Sequence, residues 1–384
     1  MSTAAPTNTG QSVKDFMNVE ADSAPVRPGR VAIISDAMPE RNGVGAYYHD
    51  LIGQLEELGY KTEFVCPKGK GAGIIKLPLP GDSTQKVYLP SLPRFRRIMR
   101  NLKPETIVVG TPGPFGLLGV WWAKRLGARL IVGFHTHFSG VTDLYGNPFL
   151  RVVSRFFFNF ADRYLLRNAD LTLGNSEAMV ELATEIGAER AELMGTLLPT
   201  PVRVHPLAPV RDKVGRVLFA GRLAPEKRVD TVIAAARELP EIAFAIAGDG
   251  PQKSEVEKAA SELPNLEYLG WVSRDDLIEQ MDLSDVLVLP SYVESFGTVA
   301  LEAMARQRLA LVSANCGILD WPGLSEHIYR IGEEESVADA LRRIDAQTFE
   351  AREDNAIAGR IAASRLNNKS LLHWCEMMQP VDSA

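Results

Sequence analysis

The chain has 384 residues, 46% hydrophobic and 23% charged, with a formal net charge of −6; this suffices for two separate cores and excludes a disordered polyelectrolyte or a strongly basic nucleic-acid binder. Its three cysteines, Cys66, Cys316 and Cys375, are scattered and form no Cys-x-x-Cys pair, which excludes a disulfide framework or zinc site and favours a reducing cytoplasm. The most apolar stretch, Pro114 to Ala123, is too short to span a membrane and ends at Lys124-Arg125.

Residues 1–29 are rich in Ala, Ser, Thr, Pro and Asn and lack a basic start or an apolar stretch, so a disordered tail is expected there, not a signal peptide. A first domain is expected over 30–200. It opens with a strand, Val31 to Ser35, a loop from Asp36 to Gly45 containing Arg41-Asn42-Gly43-Val44-Gly45, and a helix from Ala46 to Leu58. Gly43 and Gly45 let backbone approach a ligand, and the helix offers free amides; taken alone, the segment is also what a plain tight turn looks like. Lys61 to Cys66 is a second strand, and Pro67 to Pro93 reads as loop with short strands. Arg94 to Arg100 is a basic helical segment, followed by a strand from Thr106 to Gly110.

Leu130 to Phe134 is a buried strand that delivers His135-Thr136-His137 to its carboxyl end, where ligands collect in open α/β sheets. A helix then carries Phe149, Phe156, Phe157, Phe158 and Phe160 among Arg151, Arg155 and Arg163. Core packing of those rings is expected, with contact at a bilayer interface as the alternative. Ala169 to Ser176 is the next strand.

Pro199, Pro201, Pro206 and Pro209 mark a linker over 201–214 before a second domain at 215–365; a last helix, 366–384, is expected to return to the first domain. The strand Arg216 to Ala220 leads into Gly221-Arg222-Leu223-Ala224-Pro225-Glu226-Lys227, where two cations sit as a diphosphate would require. Ile242 to Ala247 ends in a Gly248 turn, and Leu266 to Val272 forms a further strand. Asp285 to Leu289 is a buried strand stopped by Pro290, after which Glu294, Phe296-Gly297 and a helix carrying Glu302 follow. On spacing alone, Glu294 and Glu302 fit a solvated helix face as well as a ligand site. The segment 30–205 has net charge +5 and 206–384 has −10, so an anionic surface would be met by the first half.

Four motifs stand in order: Asn42-Gly43-Val44-Gly45, Phe134-His135-Thr136-His137-Phe138, Gly221-Arg222 through Lys227, and Glu294-Ser295-Phe296-Gly297 with Glu302. Together they resemble family-four retaining glycosyltransferases, over about residues 30 to 380. The resemblance implies an α/β fold of the GT-B kind, two Rossmann-like domains facing each other across a cleft. It implies Glu294 and His135 at the donor sugar, Glu302 at the ribose, Arg222 and Lys227 at the diphosphate, and Val272 at the nucleobase. Gly43, Val44, Gly45, Gly248, Ser295, Phe296 and Gly297 complete the implied donor site. Two departures stand out: Asn42 replaces the first glycine of the family loop, and Gln307-Arg308-Leu309 replaces the usual Gly-x-Pro.

The activity so implied is transfer of a hexose from a nucleotide sugar, a UDP-sugar, with retention, with no metal and no further cofactor. His135 onward, with Asp143 and Tyr145 as acceptor contacts, is similar to bacterial diacylglycerol and glycolipid glycosyltransferases. The expected partners are therefore a nucleotide sugar, a lipid or glycan acceptor and the anionic inner face of the cytoplasmic membrane, with no nucleic acid. Mannosyl or glucosyl transfer to a polysaccharide or lipid-linked glycan, and nucleotide-sugar 2-epimerisation, are alternatives on the same architecture.

Overall fold

The computed structural model describes residues 27–39, 43–67, 75–79, 82–135, 148–292, 294 and 296–379. It divides into two compact units, Met1–Leu197 with Lys369–Ala384, and Leu198–Asn368.

The first unit runs β1 (Arg30–Ile34), α1 (Gly43–Glu57), β2 (Lys61–Val65), β3 (Ile75–Leu79), β4 (Asp82–Leu89), α2 (Leu92–Leu102), β5 (Thr106–Val109), α3 (Pro114–Leu126), β6 (Arg129–Phe134), α4 (Pro148–Asn168), β7 (Leu171–Gly174), α5 (Glu177–Ile186) and β8 (Ala191–Leu193). Its main sheet has the order β2-β1-β5-β6-β7-β8, all parallel. Short β-branched and leucine runs such as Val31–Ile34 and Thr106–Val109 are buried on both faces, as crossover helices demand. β3 and β4 form a separate antiparallel hairpin inside the stretch expected to be loop with short strands.

The second unit runs α6 (Thr200–Val204), β9 (Arg216–Ala220), α7 (Val229–Glu238), β10 (Ala243–Ala247), α8 (Lys253–Glu262), β11 (Leu266–Gly270), α9 (Arg274–Asp282), β12 (Val286–Leu289), α10 (Thr298–Ala305), β13 (Leu309–Ser313), β14 (Tyr329–Ile331) and α11 (Val337–Asp345). Its parallel sheet has the order β11-β10-β9-β12-β13-β14, the doubly wound Rossmann order. The winding reverses between β9 and β12, and in the first sheet between β1 and β5. A crevice opens at such points outside the carboxyl ends of the strands. The long helix α12 (Phe349–Met377) belongs to the second unit up to Asn368; beyond it, Trp374 and Cys375 are fully buried in the first unit's core.

Several boundaries differ from expectation for identifiable reasons. α1 begins at Gly43, so Gly43 to Gly45 form its first turn and not a preceding loop; glycine is tolerated there because the first amides lack helical partners anyway. β11 stops at Gly270, whose φ of 68° turns the chain and leaves Trp271 and Val272 beyond the strand. The proline-rich stretch assigned as linker, 201–214, lies within the second unit. Part of it is α6, with Pro201 in its first turn, where a missing N–H costs nothing, and with Val202 buried.

Arginines hold that stretch in place. Arg306 is fully buried and grips Asp282 with two hydrogen bonds, of 3.0 and 2.7 Å, while donating to the carbonyls of Val202, His205 and Pro206. Arg308, also buried, donates to the carbonyls of Ala208, Pro209, Ser284 and Arg306. Between them Gln307 adopts φ 59°, the left-handed conformation that the family's glycine would take more easily.

Asp162 on α4 is 2% exposed, and its Oδ2 has no partner among the described residues. Burial raises its pKa to about 7. The folded state thus holds this proton more tightly than the unfolded chain does. The stabilisation is complete below about pH 4 and is lost as pH rises through 7. Asp162→Asn should flatten the stability profile between about pH 4 and 7 and raise stability at pH 8 by about 1–2 kcal/mol, read from urea unfolding. An unchanged slope would remove Asp162 as its source.

Candidate active site

The second sheet's reversal point brings together the loops after β9 and β12. The β9 loop passes Gly221 and Arg222 into a 3₁₀ turn, Pro225–Lys227, and Arg228 then takes φ 52° to start α7. The β12 loop runs from Pro290 to Gly297, where φ 89° begins α10 with no side-chain cap. Side-chain oxygens normally fill such a helix start; here none does so among the described residues, which suits the start to an anion.

The two loops are tied to each other. The Tyr292 amide donates to the Glu226 carbonyl at 2.8 Å, and the Arg228 guanidinium lies 4.6 Å above the Tyr292 ring. At the centre, Lys227 Nζ donates to Glu294 Oε2 at 2.6 Å, with both side chains about one-fifth exposed. Arg222 is exposed, and its guanidinium has no partner among the described residues. The two loops therefore carry one cation balanced by a carboxylate, Lys227, one over an aromatic ring, Arg228, and one exposed, Arg222.

Beneath this loop Glu294 bridges to Cys316, and the Gly317 amide donates to the Glu294 carbonyl. The Cys316 thiol donates to the Phe296 carbonyl, and burial raises its pKa to about 11, so it is a packed, uncharged group. Phe296 is buried edge-on against Trp321. Glu302, on α10, is buried and lies 3.6 Å from the Arg274 guanidinium at the start of α9. Val272 is half-buried just before it. Gly248 has φ 145°, and a side chain there would strike the Gly221 carbonyl, so its first role is to let the β9 and β10 loops pack together.

In the first unit, His135 follows β6. Its Nε2 is 2.9 Å from the Tyr48 hydroxyl, and the rings of Tyr47 and Tyr48 meet it edge-on. Burial lowers the His135 pKa to about 4, leaving the imidazole neutral at pH 7. Tyr48 reaches it by lying across Gly110 and Gly133, where a methyl group would overlap its ring at the first and its hydroxyl at the second. Gly45 packs against the Met38 backbone, Val44 packs on the core of the unit, and Gly43 faces open space.

At this sheet's reversal point stands Asp36. Its carboxylate accepts from the amides of Phe115 and Gly116 and from the Thr111 hydroxyl, at 2.9, 3.3 and 2.8 Å, and so occupies the start of α3. Burial raises its pKa to about 6. Asn42, Thr136, His137, Asp143, Tyr145 and Ser295 lie outside the described residues.

Residues 41–194 match the family model for Glycosyltransferase Family 4, and residues 208–358 match that for glycosyl transferases group 1. The chain belongs to the family-four glycosyltransferases.

This family-four glycosyltransferase is 27% identical over 373 residues to the sulfoquinovosyl transferase SQD2 of Arabidopsis thaliana, covering 88% of this chain and 70% of that protein. It is 29% identical over 308 residues to a GDP-mannose-dependent alpha-(1-6)-phosphatidylinositol monomannoside mannosyltransferase of Mycolicibacterium smegmatis, covering 71% and 77% of the two chains. Among solved structures, WaaG, a glycosyltransferase involved in lipopolysaccharide biosynthesis, aligns with a TM-score of 0.60 at 15% identity, over 91% of this chain and 99% of that one. HepE of Anabaena in complex with UDP-glucose aligns with 0.59 at 16%, over 90% and 98%. These alignments establish the GT-B fold, two Rossmann-like domains.

Sequence reasoning missed Arg228, Tyr292, Tyr48 and Asp36. Arg228 and Tyr292 have no local signature, because a positive φ and a cation–ring contact arise only when the two loops meet. Tyr48 did leave a trace. Gly133 interrupts an otherwise apolar strand, a sign that something bulky crosses it.

Proposed function

We propose that this glycosyltransferase moves a hexose from a nucleotide sugar, a UDP-sugar, to a membrane lipid with retention of anomeric configuration and without a metal. The observation that carries the reading is the pair of loops after β9 and β12, with Lys227 held on Glu294 and, among the described residues, Arg222 unpartnered and α10 uncapped. A departing diphosphate gains negative charge as the glycosidic bond breaks, and preorganised cations and helix amides stabilise that charge more than they stabilise the ground state. Glu294 and neutral His135 position the sugar, and Glu302 the ribose. The lipid acceptor is supported by the phosphatidylinositol monomannoside transferase among the relatives.

The test supplies UDP-hexoses with diacylglycerol or other lipids in detergent and follows nucleotide release and labelled lipid. Release that depends on the lipid is expected. The GDP-mannose-dependent relatives favour a second reading, mannosyl transfer, which product formation from GDP-mannose alone among the donors would select. A new epimer formed without acceptor would replace both.

A further inference from the structure

Helix α4 is apolar on two sides. One side buries Ala161, Leu165 and Leu166, as a helix lying on a sheet requires. The other repeats an apolar residue every fourth position in solvent: Val152 is 68% exposed, Phe156 76% and Phe160 57%. Tyr164 continues the row, its ring stacked on that of Phe160 at 6.1 Å. This is not the core packing expected of these phenylalanines. Exposed apolar rows of this kind mark interaction surfaces, whereas isolated surface hydrophobes do not.

The neighbouring helix α3 extends the face. Trp121 is 48% exposed beneath the Arg125 guanidinium, and Lys124 Nζ lies 5.8 Å from the centre of the Tyr164 ring. α3 contains no acidic residue, and the only one on α4 is the buried Asp162, while Lys124, Arg125, Arg155 and Arg163 are exposed. Lys124 also lines a groove of about 1240 Å³ at the amino ends of β1, β5 and β6, where Arg100, Lys103 and Arg129 outnumber Asp170 and a Glu105 paired with Arg30, so net positive charge continues past the end of the helices.

We propose that this face of α3 and α4 docks on an anionic phospholipid bilayer, with Trp121, Phe156 and Phe160 entering the interface and Lys124, Arg125, Arg155 and Arg163 lying among the headgroups. Aromatic rings at headgroup depth, flanked by cations, are the pattern of interfacial anchoring. A second copy of the chain is a poor occupant. A two-fold contact would set the same cations against each other with no exposed carboxylate on α3 or α4, among the described residues, to balance them. The proposal deepens the lipid-acceptor reading by naming the surface that meets the bilayer, and its test is independent of turnover.

Sedimentation of the full chain with vesicles of phosphatidylcholine, alone and with about one-third phosphatidylglycerol, decides the matter. Binding is expected only to the anionic vesicles and should fall in high salt. Phe156→Ser with Phe160→Ser, and separately Arg155→Glu with Arg163→Glu, should each reduce the vesicle-bound fraction about ten-fold. Because these side chains are exposed, melting temperature and circular dichroism should be unchanged, as should turnover on a detergent-dispersed acceptor. Equal binding by wild type and both variants overturns the proposal. So does absence of wild-type binding, or a dimer in solution that the phenylalanine variant dissociates. Vesicle binding by a protein that glycosylates no lipid would leave the docking face standing and remove the acceptor reading.

Discussion

Replacing Lys227 with alanine is expected to lower turnover by about 10²–10³-fold while leaving the fold intact. The Lys227 ammonium sits at the reversal point of the second sheet, 2.6 Å from Glu294, on a three-residue turn pinned by its neighbours. Two effects combine in the variant. On the proposed function the positive charge facing the developing diphosphate is lost, and Glu294, about one-fifth exposed, is left as an unbalanced carboxylate where that diphosphate would bind. Repulsion should weaken donor binding as well, so both the maximal rate and the apparent donor affinity should fall. Lys227→Met with Glu294→Gln removes both charges and should recover part of the donor affinity but little of the rate. Steady-state kinetics of the two variants, with thermal unfolding as the fold control, provide the check. Turnover within about three-fold of wild type would remove Lys227 from the reaction.

The largest effect on stability should come from Arg306→Ala. The native guanidinium satisfies one carboxylate and three carbonyls with no solvent exposure, so truncation leaves Asp282 without its cation and three carbonyls without a donor. Breaking a buried pair in this way costs about 3–5 kcal/mol. Lysine should not restore it, because a single ammonium cannot reproduce the planar fork that spans Asp282 and the 202–206 carbonyls. Urea unfolding should show the loss, and limited trypsin digestion should open the chain near Arg203, which α6 otherwise shelters. A loss below about 1 kcal/mol, with unaltered digestion, would show that the segment is held by other means.

The fold was legible because buried parallel strands announce themselves as short runs such as Val31–Ile34 and Val286–Leu289, each followed by a turn and a helix. The placement of the loops after β9 and β12 was legible for a related reason. Arg222, Lys227 and Glu294 follow strands directly, so their place at a carboxyl edge needs only local geometry. Proline misled where it starts a helix: Pro201 read as linker but opens α6. The replacement of Gly-x-Pro was visible at Gln307-Arg308-Leu309, but its meaning was not. Only the folded unit shows that Arg306 and Arg308 look back about a hundred residues to clasp 202–209. The exposed row on α4 was hidden by its own composition, since a helix apolar on two sides reads simply as apolar.

Asp36 carries one further consequence. If the second sheet's reversal point holds the donor, as proposed, the like point of the first would be a second berth for a polyphosphate, and there the chain moors a carboxylate of its own. Titration calorimetry should accordingly count one nucleotide per polypeptide. Asp36→Gly, by vacating that berth, would be the substitution to create a second.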